Sequence, residues 1–61
     1  MRVVDLYKVL DDEIIIRIFN DGGFIMCGNP SDIPVGVLDC RVNSIRRPKS
    51  IGFDIDIVIE R

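Results

Sequence analysis

From residue 51 to residue 60 the chain alternates without a break. Ile51, Phe53, Ile55, Ile57 and Ile59 are interleaved with Gly52, Asp54, Asp56, Val58 and Glu60. A period of two belongs to a strand, whose successive side chains leave opposite faces. It gives this segment one apolar face and one largely acidic face. Such a strand is long, so it is expected at the centre of a sheet or bent around a small barrel. The composition extends the same constraint over the whole chain. Of 61 residues, 18 are Val or Ile, against three Leu and no Ala. Side chains that are stiff at χ1 favour a pleated surface, which makes helix the minority structure.

The remaining segments follow from spacing and turn chemistry. Val3, Leu6, Val9 and Leu10 fall on one face of a short helix over 3–10, with Asp5 available as a cap. The acidic trio Asp11, Asp12 and Glu13 would oppose the dipole at a helix C-terminus and is read as the connection that follows. A strand over 14–20 places Ile14, Ile16 and Ile18 on one face and Ile15, Arg17 and Phe19 on the other. Asp21-Gly22-Gly23 is hairpin chemistry, and 24–28 returns as a second strand. A two-residue turn sets Phe19 opposite Phe24, Ile18 opposite Ile25 and Arg17 opposite Met26; a three-residue turn moves Phe24 and Met26 to the isoleucine face. The two-residue form has the stronger turn chemistry. It leaves Ile15, Phe19, Phe24 and Met26 as an apolar group away from the core face, where something must cover them. Ser31 or Asp32 can cap one helical turn around 33–39, with Pro34 in its first turn. Val42 and Ile45 are out of phase by one residue in a third strand over 41–46, the mark of a bulge or an edge. Pro48 supports a turn after it.

Length sets one domain, 1–61. A domain of this size buries only about 60% of the surface its unfolded chain exposes. Its net stability as a monomer is expected at roughly 3–5 kcal/mol, so little room is left for a deep pocket, and pairing with a second copy would relieve the shortage. Apolar content of 48% with a net charge of −2 argues against disorder. No uninterrupted apolar run exceeds four residues, far short of a transmembrane helix. With no export signal read at the N-terminus, the expected location is the cytoplasm, with Cys27 and Cys40 as small buried thiols.

The chemistry-bearing residues are few. The chain has no histidine, which removes histidine-based catalysis and leaves Ser31, Ser44 and Ser50 without an activating base. Neither the cysteine spacing nor the acidic trio matches a zinc or calcium pattern. Asp54 and Asp56 point the same way from one strand, and pairing with Arg17, Arg41 or Arg46 is their expected use rather than metal binding. Charge is uneven: residues 1–40 hold three basic and seven acidic groups, residues 41–61 five and three. Arg41, Arg46, Arg47 and Lys49 lie in a stretch with no acid. That segment suits a solvated connection, an acidic partner or phosphate. There is no recognition helix and no RNP-like aromatic pattern to read nucleic acid.

Laid end to end, "DLYKVLDD" (5–12), "IIIRIFNDGGFIMCG" (14–28), "SDIP" (31–34), the V-x-S-I strand (42–45) and "IDIVIE" (55–60) resemble short uncharacterised proteins encoded in phages and prophages of Gram-positive bacteria. The resemblance implies a phage accessory or adaptor role and attaches no catalytic residue. The expected fold is α+β: a small, strongly curved, mainly antiparallel four-stranded sheet, barrel-like, with one short N-terminal helix and a helical turn between hairpins. The expected function is a non-enzymatic interaction module, without cofactor or membrane contact, binding a protein partner or itself as a homodimer. Its expected surface is Ile15, Phe19, Phe24, Met26, Arg41, Arg46, Arg47 and Lys49. A nucleic-acid accessory role through the basic 41–49 segment is the alternative.

Overall fold

The computed structural model describes residues 1–60. In chain order it contains α1 (Val3–Tyr7), β1 (Ile16–Asn20), β2 (Gly23–Gly28), a 3₁₀ turn (Pro30–Asp32), α2 (Val35–Leu38), β3 (Arg41–Arg46) and β4 (Ile55–Glu60). The four strands form one sheet in the order β2-β1-β4-β3. Two hairpins, β1–β2 and β3–β4, are antiparallel and lie side by side, so that β1 and β4 run parallel at the centre. The α+β class and the helical turn between hairpins therefore stand. The sheet itself is mixed and open. Its two outer strands, β2 and β3, do not meet, so no barrel closes.

Apolar periodicity explains which face is inside. Ile16 and Ile18 from β1 and Ile57 and Ile59 from β4 point to one side and are at most 1% exposed. Val3, Ile33 and Val37 close over them from the helical segments, with Leu6, Leu10, Ile14 and Leu38 around the rim. Each buried Ile or Val contributes about 1.5–3 kcal/mol relative to an exposed one. The molecule measures 26 × 24 × 16 Å. The shortest axis accommodates the sheet and a single layer on it, since stacked layers lie about 10 Å apart. The helical layer therefore covers one face and leaves the other open.

Both edge strands carry an irregularity. In β2 the register runs Phe19↔Phe24 and then Ile18↔Met26, so Ile25 is the extra residue. The two-residue Asp21-Gly22 turn forms, with Asn20 opposite Gly23. The bulge then shifts the rest of the hairpin by one position. Ile25 and Met26 both pack against the core; the exposed Cys27 lies opposite Arg17. Met26 thus leaves the outer apolar group expected from sequence, and Cys27 is not the buried thiol expected. Cys40 is half-buried, its Sγ 3.4 Å from the Gly36 carbonyl oxygen. In β3 the extra residue is Asn43, between Val42↔Ile59 and Ser44↔Val58, where the phase slip of Val42 and Ile45 places it. The N-terminus covers the start of the β3 edge: the Val3 N–H donates to the Cys40 carbonyl, and the Met1 carbonyl accepts from Val42 N–H. Bulges and covered edges suppress strand addition by other chains.

Several boundaries differ from the sequence expectation for local reasons. α1 ends at Tyr7, and Val9 is 77% exposed. Asp5 acts as the capping residue from inside the helix, accepting the Arg2 N–H at 2.9 Å. β1 begins at Ile16 because both backbone groups of Ile15 are taken by Asp54: its N–H donates to Asp54 Oδ2 (2.8 Å), and its carbonyl accepts the Asp54 N–H (2.7 Å). β4 begins at Ile55. Gly52, at φ +99°, turns the chain out of extension, leaving Ile51 fully exposed. The acidic trio is structural rather than merely solvated. Asp11 Oδ1 accepts from Glu13 N–H, and Asp12 Oδ1 accepts from Ser31 N–H. With Asn29 Nδ2 donating to the Ile14 carbonyl, these bonds tie the 3₁₀ turn to the entrance of β1.

Candidate interaction surface

The open face is built on the outward-pointing residues of the central strands. In the parallel register Arg17 stands beside Asp56 and Phe19 beside Val58. Arg17 Nε and Nη2 donate to Asp56 Oδ1 and Oδ2, each at 2.7 Å. The fork of a guanidinium matches the two carboxylate oxygens, which makes this the strong form of ion pair. The guanidinium carbon lies 4.4 Å from the Phe53 ring centroid and 5.3 Å from that of Phe19. Arg17 is therefore held between two aromatic faces, whose negative quadrupoles favour a cation. Hydrogen bonding to Asp56 raises its pKa above the ordinary arginine value; burial pulls the other way, and the charges of Asp56 and Cys27 add smaller upward pushes.

Phe19 extends the cluster towards the edge. Its ring meets that of Phe24 edge-to-face, with centroids 5.8 Å apart and planes at 73°. Such pairs add about 0.5–1.5 kcal/mol beyond area burial. Phe24 nevertheless stays 60% exposed. On the other side of Phe19, a groove of about 310 Å³ runs between β1, β4 and β3, lined by Phe19, Asn20, Arg46, Asp56 and Val58.

The residues singled out from sequence fall into separate places. Phe19, Phe24 and Arg46 belong to the open face. Ile15, 39% exposed, precedes β1. Arg41 stands at the opposite end of β3 from Arg46, beside Glu60. Arg47 and Lys49 are exposed on the β3–β4 connection. Met26 is on the core side. Phe53 and Val58 are the members that sequence reasoning missed. Phe53 has the spacing of the apolar face, but the backbone turns at Gly52 (φ +99°) just before it and the ring packs on Arg17 instead. Asp54 and Asp56, the acids expected on one face of the last strand, are engaged by the Ile15 backbone and by Arg17. Among the described residues no group of three or more His, Cys, Asp or Glu is gathered as metal ligands, and no helix is long and apolar enough to cross a membrane.

The fold and this face define a small α+β domain with a mixed four-stranded sheet covered on one side. No protein-family model, no curated protein and no solved structure matches the chain.

Proposed function

We propose that the protein is a small protein-interaction module that works without catalysis, through the uncovered face of its sheet. The observation that carries the reading is Phe24. It projects from the sheet with most of its surface exposed, while the ring it packs on, Phe19, is itself fixed by a locked Arg17. A rigid aromatic anchor beside a groove is the usual composition of a binding hot spot. The occupant proposed is a segment of another protein, and the homodimer expected from sequence is the competing occupant. The resemblance to short phage and prophage proteins favours an accessory or adaptor setting for such binding.

The test is affinity capture from a lysate of cells that express the protein, comparing the wild-type chain with Phe24→Ser and with Val35→Ser. Val35 is 83% exposed on α2, within the helical layer, and serves as the control. A protein retained by wild type and Val35→Ser but lost with Phe24→Ser is the expected result. Equal capture by all three, or capture that nuclease abolishes, contradicts the reading.

A further inference from the structure

We infer that the groove beside Phe19 accepts an acidic, extended segment of a partner protein, with a carboxylate held over Arg46 and an apolar side chain set against Phe19 and Val58. The inference rests on the reading of the open face as a protein-binding surface and adds the chemistry of what binds there. Two observations on charge carry it. Arg46 stands beside Asp56 in the antiparallel register and lines the groove with it. Each Asp56 oxygen, however, already accepts an Arg17 N–H at 2.7 Å, so the carboxylate is neutralised from the other side. Among the described residues Arg46 has no ion-pair partner. The groove wall is thus apolar on two strands and cationic at its rim.

A carboxylate entering the groove would meet the Arg46 guanidinium, and charge-assisted bonds of this kind are the strong ones. The surroundings reinforce the sign. No acidic residue occurs from 41 to 53, while Arg47 and Lys49 continue the positive charge into the β3–β4 connection. Such a field speeds the approach of an acidic partner and repels a basic one.

The experiment is a ¹H–¹⁵N NMR titration of the full chain with three probes. One is a capped peptide in which Glu alternates with Leu and Phe; the second has Lys in place of Glu; the third is a single-stranded oligonucleotide. The acidic peptide should give saturable shifts at the amides of Phe19, Asn20, Arg46 and Val58. Its affinity should fall about three- to tenfold in Arg46→Gln, the loss of one charge-assisted contact. Raising salt to about 0.5 M should weaken it further. Arg46 is exposed, so the variant is expected to fold, and an unchanged spectrum outside the groove confirms it. Equal binding of both peptides at these amides overturns the acidic preference while leaving the interaction face standing. No shift with either peptide, tighter binding of the oligonucleotide, or concentration-dependent shifts of the free chain at the same amides overturns the inference itself.

Discussion

Arg17 and Asp56 sit side by side on the two parallel central strands and close two 2.7 Å hydrogen bonds across the open face. The pair joins the two hairpins on the side that has no helical layer. It also explains why an arginine lies at the centre of a β-rich sheet: its apolar stem and flat head pack between Phe19 and Phe53 while its charge is matched.

Asp56→Asn should lower the melting temperature by more than Glu60→Gln, since Glu60 is exposed at the strand end. Arg17→Lys should behave like Asp56→Asn, because an ammonium cannot form the paired bonds or lie flat between rings. Thermal denaturation of the three variants checks this; equal melting temperatures for Asp56→Asn and Glu60→Gln would mean that the pair contributes nothing.

The pH dependence of the pair follows from its sign. A group whose folded pKa is raised stabilises below its unfolded pKa, and that contribution is lost only as pH rises through the folded value. Arg17 is raised from an already strongly basic value. Its contribution should therefore persist across the whole alkaline range the protein tolerates. The melting-temperature difference between wild type and Arg17→Lys should be the same near neutrality and in mildly alkaline buffer. A gap that narrows with rising pH would contradict it.

The core is small enough for one side chain to decide folding. Ile57 is fully buried on a central strand between Ile18 and Ile45 in the register. Ile57→Val should cost about 0.5–1.5 kcal/mol and Ile57→Ala about 2–5 kcal/mol. Total stability is expected near 3–5 kcal/mol for so short a chain. Circular dichroism should find Ile57→Val folded with a lower denaturation midpoint and Ile57→Ala largely unfolded at room temperature.

Gly28 is required at the end of β2. Its φ is +151°, and an added Cβ would lie 2.7 Å from Asp32 Oδ2, the oxygen that accepts the Asn29 N–H. Gly28→Ala should cost about 1–3 kcal/mol through strained backbone, measurable in a urea titration. Gly36→Ala is the control, since a Cβ there meets nothing within 4 Å and it sits within α2. A variant at Gly28 as stable as the wild type would refute the close approach.

How far the sequence could be read depended on whether a signal was local. The alternation of Ile55, Ile57 and Ile59, the Asp21-Gly22 turn and the phase slip between Val42 and Ile45 are all written in neighbouring residues, and they identified the strands, the hairpin and one bulge. The second bulge was hidden. Ile25 and Met26 are both apolar, so no polar residue marks the position where the alternation fails, and the faces of Met26 and Cys27 came out exchanged. Phe53 has the spacing of the strand's apolar face, although Gly52 before it permits a turn. The parallel pairing of β1 and β4 depends on where the connection through α2 delivers the second hairpin, which no short window encodes. Arg17 was recognised as a partner for the strand acids, but its place between two aromatic rings needed the assembled sheet.

The central claim is that the uncovered side of the sheet is the working surface. The most direct measurement is amide shift mapping of the ¹⁵N-labelled chain with its captured partner added in increasing amounts. Shifts concentrated at Arg17, Phe19, Phe24 and Val58, with α1 and α2 unmoved, are the predicted result. Shifts concentrated on α1 and α2, with the open face silent, would contradict the account.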